Sequence, residues 1–216
     1  MNKYRFIIWD LDGTLLDTLD DLTNSINVTM KRYSLPTHSR DAVRQFVGHG
    51  IKNLMKSAVG EAGENVGAQA FEFFTGYYAE HCRENTAPYE GVLSLISRLK
   101  QAGYGQAVVS NKADFAVKIL CKEHFEDIID IAIGENEKQG VRKKPCPDSV
   151  FEAMRLLGAN KNNTVYVGDS EVDIETARNA GIPCISVSWG FRDIDQLENA
   201  GADIICNDIS ALEGEL

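Results

Sequence analysis

No apolar run in this chain of 216 residues approaches the roughly 20 residues that an α-helix needs to cross a bilayer, so no helical membrane span is expected. Cysteine is sparse and scattered. Cys82, Cys121, Cys146, Cys184 and Cys206 are odd in number and include no C-x-x-C pair, which speaks against a disulfide framework or a zinc site. They read instead as small buried apolar side chains. The four histidines, His38, His49, His81 and His124, show no ligand spacing either. Basic residues are in deficit, 22 against 32 acidic ones for a net charge of −10. A general nucleic-acid or anionic-membrane binder would need a basic face. A small anionic substrate remains open, because a few local donors and a cation override the global field. Internal repeats and low-complexity segments are also missing. The opening Met1-Asn2-Lys3-Tyr4-Arg5 leads into a strand pattern with no small-residue cleavage site, so the expected location is cytoplasmic.

What is present is a change of rhythm along the chain. Tyr4 to Trp9 reads as a strand, apolar without alternation and therefore covered on both faces. From Asp17 to Asn85 the pattern is helical: Leu22, Ile26, Met30 and Tyr33 recur at helix spacing behind Thr18 as N-cap, and further helices are expected around 42–46, 51–58 and 68–82. Asp17, Asp20 and Asp21 read as first-turn acids of the opening helix. After Pro88 and Gly91, strands at 106–109, 128–133, 164–167, 183–187 and 203–206 alternate with helices. Alternation with short connections implies an α/β fold, a Rossmann-like parallel sheet covered by helices, interrupted by an all-helical insertion. The expected division is a core of residues 1–16 and 86–216 and a helical cap of residues 17–85.

Such sheets bind ligands at the carboxyl ends of their strands, and polar residues collect at those ends here. The first strand ends in Asp10-Leu11-Asp12-Gly13-Thr14, the next in Ser110-Asn111-Lys112, and a later one in Gly168-Asp169-Ser170-Glu171-Val172-Asp173, while Lys143-Lys144-Pro145 precedes a helix. Two aspartates one residue apart at the tip of a buried strand repel each other unless something compensates them. Oxygen ligands of high charge suit a hard cation, Mg²⁺ above all. A cation so held, with open positions, would clamp a phosphate. One aspartate of the first pair can then attack phosphorus while the other moves the leaving-group proton. Ser110, Lys144 and backbone N–H groups near Gly13 and Asn111 are expected to hold phosphoryl oxygens. Taken singly, each of these residues has an ordinary role: Asp173 and Glu171 as helix N-terminal charges, Lys143 as a solvated cation.

In this order the segments resemble the four motifs of the haloacid dehalogenase-like hydrolases. The wording VVSNK, KKPCPD, VYVGDSEVDIETARNAGIP and SWGFR is similar to the phosphoglycolate phosphatase branch. The resemblance spans nearly the whole chain. It implies Asp10 as nucleophile and metal ligand, and Asp12 as general acid/base whose carbonyl also binds Mg²⁺. It further implies Ser110 and Lys144 on the phosphoryl group, with Gly13, Thr14 and Asn111 beside them, and Asp169 completing the metal site with Asp173 in support. The implied partner is a small phosphorylated metabolite, with 2-phosphoglycolate, hydrolysed to glycolate and phosphate, as the first candidate.

Substrate choice is expected in the cap, where Val47-Gly48-His49-Gly50-Ile51-Lys52 offers glycines, a histidine and a cation; His49 and Lys52 are the candidates for a substrate carboxylate. A dinucleotide fingerprint is poor there, because Asn53 stands where the third glycine belongs. Three alternatives use similar parts: a pyrophosphatase, a sugar-phosphate mutase of the β-phosphoglucomutase kind, and a receiver-type phosphoacceptor domain. The last places its acceptor aspartate after a middle strand with no insertion behind the first, which is not the pattern here.

Overall fold

The computed structural model describes residues 3–135 and 140–216, apart from the side chains of Ala62 and Glu64. Met1 and Asn2, where the reading of a missing leader began, lie outside the described residues. Strand β1 (Phe6–Trp9) occupies the middle of the sheet, and Ile7, Ile8 and Trp9 are buried because helices cover both of its faces. Strand β2 (Leu16–Asp17) and β3 (Ala87–Pro88) form a separate antiparallel pair. The main sheet adds β4 (Gly105–Ala113), β5 (Ile131–Glu135), β6 (Thr164–Gly168), β7 (Cys184–Val187) and β8 (Ile205–Cys206). Its order is β5-β4-β1-β6-β7-β8, with every neighbour parallel. The order reverses at β1, and a crevice opens where the chain leaves neighbouring strand ends in opposite directions. Trp9 is level with Val108 on one side and Val167 on the other. Asp10, Ser110 and Asp169 therefore leave the sheet side by side.

Helices α1 (Leu19–Arg32), α2 (Arg40–Phe46), α3 (Ile51–Val59) and α4 (Gly67–His81) form the insertion between β2 and β3. They bury their own core, with Ile26, Met30, Val43, Leu54, Phe74 and Tyr78 at its centre, and Ala116 and Phe191 of the sheet domain join it. The sheet carries α5 (Val92–Gln101), α6 (Asp114–Phe125), α7 (Asp148–Leu157), α8 (Glu171–Ala180), α9 (Ile194–Asn199) and α10 (Ile209–Glu215). Val92, Leu95, Ile96 and Leu99 are the buried face of α5, as their spacing requires. One apolar core lies on each side of the sheet, around Trp9, Val108 and Val165 on one face and Ile8, Val109 and Tyr166 on the other.

Three local readings change. The strand expected to stop at Val109 continues to Ala113, with a register shift against β5 between Val109 and Ala113. Such an irregularity re-aims side chains, and Ser110, Asn111 and Lys112 ride on it rather than in a loop beyond it. Strand β5 starts at Ile131 because the N–H groups of Ile128 and Ile129 turn back to the Phe125 carbonyl. Thr18 stands at the N-cap of α1, but its side chain caps nothing; the Asp17 carboxylate accepts from Leu19 N–H at 3.2 Å in its place.

Asp21 is a first-turn acid of α1, as expected, and it is also a buried acceptor at the base of the insertion. Its two oxygens take the Asn85 N–H at 3.0 Å, the Asn85 side-chain amide at 2.8 Å, and the Thr86 N–H and hydroxyl both at 2.9 Å. The chain entering the insertion is thereby tied to the chain leaving it. Removing a buried, multiply bonded carboxylate strands its donors. Asp21→Ala is expected to lower the unfolding free energy by about 3 kcal/mol, measured by urea denaturation, whereas Asp20→Ala on the exposed side of the same turn should change it by less than about 1 kcal/mol.

Candidate active site

Asp10, Asp169 and Asp173 are all buried, and one carboxylate oxygen from each lies within 4.8 Å of the others. The Lys144 ammonium, 3% exposed, reaches between them, 2.9 Å from Asp10 and 2.7 Å from Asp173. Asp173 is fully committed: Oδ1 accepts from Lys144 and the Tyr166 hydroxyl, and Oδ2 accepts from the N–H and hydroxyl of Ser170 in the capping box of α8. Asp169 accepts one bond on each oxygen, from the Thr14 hydroxyl at 3.0 Å and the Phe191 N–H at 2.7 Å. Asp10 has the poorest provision, for its Oδ1 is buried with an ion-pair contact to Lys144 and no hydrogen bond. Burial first, then Asp173 and Asp12, push the Asp10 carboxyl up to about 7 against the pull of Lys144. Burial, Asp173 and Asp10 raise Asp169 well above the ordinary range. For Lys144, burial pulls downward, but Asp10 and Asp173 outweigh it and hold the ammonium well above its usual value.

Asp12 lies apart from this cluster and pairs with Lys112, whose ammonium is 2.7 Å from Oδ1. The same ammonium donates to the hydroxyl of Tyr78, from α4 of the insertion, at 2.6 Å. Lys112 is buried, and its burial is outweighed by Asp12 and Tyr78, so it too stays protonated. The sequence offered a cue for Lys112, since it follows Ser110-Asn111 directly. Tyr78 had none, because helix periodicity reads it as an ordinary core aromatic.

Several expected ligands turn out to be supports. Gly13 has φ +86°, and a Cβ there would overlap the Asp169 carboxylate. Its N–H donates to the Leu16 carbonyl at 2.9 Å, so it does not point at a substrate. Thr14 is spent on Asp169. The Asn111 side chain bonds the N–H and carbonyl of Lys144 and the Gly48 carbonyl, which leaves only its main chain for a ligand. Ser110 lines the central cavity together with Asp10, Asp12, Lys112 and Lys144. His49 is exposed, 3.8 Å from Glu171, and Lys52 lines a different surface hollow beside Met55 and Phe71. Neither borders the central cavity, because helix α3 turns Ile51 and Leu54 inward instead.

Arg192, within the SWGFR stretch, is the cation that does border it from that side. Buried against Glu171 at 2.8 Å, it donates to the carbonyls of Val47 and Arg44 and so fastens the cap loop to the core. Glu171 is therefore an ion-pair partner, not merely a helix-end charge. Lys143 also reaches this loop, at the His49 carbonyl. With the loop down, the cavity measures about 50 Å³, roofed by Leu22, Val47, Ile51 and Leu54.

Charge and chemistry fit a hard divalent cation. Three clustered carboxylates share the single ammonium of Lys144, and the donors are all oxygen. Asp10, whose Oδ1 meets only the Lys144 ammonium, is the least-bonded carboxylate of the cluster. Asp10 takes up a proton near pH 7 in the folded protein, far above an unfolded aspartate, so without a cation its contribution to stability falls as pH rises through that range. A cation displaces that proton and gains affinity as pH rises. The increase in melting temperature on adding Mg²⁺ to chelator-treated protein is thus expected to be larger at pH 8 than at pH 5.5, by differential scanning fluorimetry. An increase independent of pH would contradict the cluster's role.

Comparison with known proteins agrees with this geometry. The sequence profile of the haloacid dehalogenase-like hydrolases matches residues 7–187. A phosphoglycolate phosphatase from Mesorhizobium japonicum is 32% identical over 196 residues, covering 87% of this chain and 84% of that one. Another from Caulobacter vibrioides is 32% identical over 204 residues, covering 92% and 85%. The structure of a candidate phosphoglycolate phosphatase from Lactobacillus delbrueckii subsp. bulgaricus superimposes with a TM-score of 0.92 at 35% identity, over 99% of both chains. With the acidic cluster at the switch of the sheet and the helical insertion behind its first strand, the chain belongs to the haloacid dehalogenase-like hydrolases.

Proposed function

We propose that this protein is a Mg²⁺-dependent phosphatase of small phosphomonoesters, with 2-phosphoglycolate as its substrate, and that residues 17–85 act as a cap over a catalytic core of residues 1–16 and 86–216. The observation that carries this reading is the Asp10–Lys144–Asp173 arrangement beside Asp169, buried beneath the insertion. Asp10 attacks phosphorus and forms an aspartyl phosphate while the ester oxygen leaves with a proton from Asp12. Asp12 then takes a proton from water, which attacks the aspartyl phosphate and releases inorganic phosphate. Ser110 and Lys144 hold phosphoryl oxygens, and Lys144 also screens Asp10 so that an anionic ester can approach it. The cation would be held by Asp10, the Asp12 carbonyl and Asp169, with Asp173 orienting Lys144 behind them. When bound, it neutralises the carboxylates and draws charge from the phosphoryl oxygens.

Substrate size follows from the roof. A cavity of about 50 Å³ lined by the cluster itself has to take the phosphoryl group as well, which favours a leaving group of few atoms over a sugar. That observation supports a phosphoglycolate-sized ester above the sugar-phosphate mutase reading. The relatives named above as phosphoglycolate phosphatases support the same choice.

Phosphate release is to be measured over a panel of 2-phosphoglycolate, pyrophosphate, glucose 1-phosphate and ethyl phosphate, with Mg²⁺ and with chelator. The expected result is Mg²⁺-dependent release, fastest from 2-phosphoglycolate. Asp10→Asn should lower kcat by at least about 10³-fold, as loss of a covalent nucleophile does. Turnover of Asp10→Asn near the wild-type rate, or release undiminished by chelator, would refute the assignment.

A further inference from the structure

Three cations border the central cavity: Lys144, Arg192 and Lys112. Lys144 is spent between Asp10 and Asp173 on the phosphoryl side. Four of the five N–H donors of Arg192 go to Glu171 and to the carbonyls of Arg44 and Val47, which hold its guanidinium against the loop. Lys112 stands beside Asp12 instead. An ammonium has three N–H donors, and among the described residues Asp12 and Tyr78 account for two of them. It is buried, yet it faces the cavity beside the residue assigned to protonate the leaving oxygen, 2.7 Å away. The rest of the roof is apolar: Leu22, Val47, Ile51 and Leu54. Lys112, with the Tyr78 hydroxyl bonded to it, is the polar pair next to Asp12, where the atoms beyond the leaving oxygen would lie.

We propose that Lys112, from the core, and Tyr78, from the cap, form the specificity site for a carboxylate carried one carbon from the ester oxygen. This rests on the phosphatase reading and adds to it the residues that select the phosphorylated 2-hydroxy acid. A carboxylate there gives the unused ammonium proton an acceptor in a water-poor site, where a charge-assisted bond is strong. A neutral tail of the same length leaves that proton unmatched, and sites built for a polar group reject analogues lacking it. Because Tyr78 arrives with α4, the pair is complete with the cap down, which couples recognition of the acid to closure. The sequence candidates for this task, His49 and Lys52, border other surfaces.

The test compares 2-phosphoglycolate with ethyl phosphate, which has the same number of carbons and no carboxylate. In Lys112→Met the ratio of their kcat/KM values should fall about 100-fold, and in Tyr78→Phe about 10-fold. Tyr78→Phe keeps the ring packing and serves if Lys112→Met is poorly folded. Equal losses on both esters in both variants would overturn the proposal, since that is what a purely structural role, or one confined to Asp12, predicts. A second arm removes dependence on turnover. Affinities of both esters are measured by calorimetry in Asp10→Asn and in Asp10→Asn with Tyr78→Phe. A preference for 2-phosphoglycolate that shrinks in the double variant supports the site even if no ester is hydrolysed, in which case only the phosphatase reading fails. No preference in Asp10→Asn itself overturns the site, whatever the activity.

Discussion

Repulsion among carboxylates at the end of the central strand governs the architecture around it. Two like unit charges just under 5 Å apart cost about 3 kcal/mol at an effective dielectric of about 20, and one carboxylate oxygen each of Asp10, Asp169 and Asp173 lies within 4.8 Å of the others. Lys144 offsets part of that cost, and its position depends on Tyr166 and Asp173 beneath it. Asp173 in turn is set by the capping box of α8, and Asp169 by Thr14 and the Phe191 N–H. Gly190 lets the Phe191 segment lie directly against Asp169, where a Cβ would overlap its side chain. Residues that look like ligands in the sequence are thus engaged in holding ligands still. What the scaffold leaves is three carboxylates around one ammonium, an all-oxygen cluster whose charge suits a divalent cation.

The insertion is attached to this cluster at two places of different character. At its base, Asp21 binds the departing chain through buried, charge-assisted hydrogen bonds that have no reason to open. Over the cavity, the loop following α2 is held by Arg192, Asn111 and Lys143 through its own main-chain carbonyls. Carbonyls released from such bonds can turn to water, so the second attachment is cheap to break and the first is not. Tyr78 comes from the insertion and Lys112 from the sheet, so their 2.6 Å contact is a further tie between the two.

Much of the site was legible because strand-end chemistry follows local rules. A buried parallel strand must run out at its carboxyl end, so Asp10, Ser110 and Asp169 could be placed at one edge from apolar runs alone. Lys144 was legible only as part of an ordered set of motifs, since a lysine before a proline has no structural meaning by itself. The partners of Asp21 and Arg192 were not legible because nothing near them in the chain signals groups 64 residues away at Asn85 and 145 away at Val47. His49 and Lys52 show the converse: a glycine-flanked histidine and a lysine look like ligands in a sequence, and only the placement of α3 shows that neither lines the central cavity.

The sequence by itself determined the alternation of strands and helices, the helical insertion after the first strand, and the acids at strand ends, because burial periodicity and motif order are properties of neighbours along a chain. Tertiary structure alone decided which cations face the cavity, which polar groups are consumed in support, and how little room remains under the cap. Those depend on the register shift in β4 and on the rotation and docking of the cap helices, where a displacement of one residue exchanges an inward side chain for an outward one.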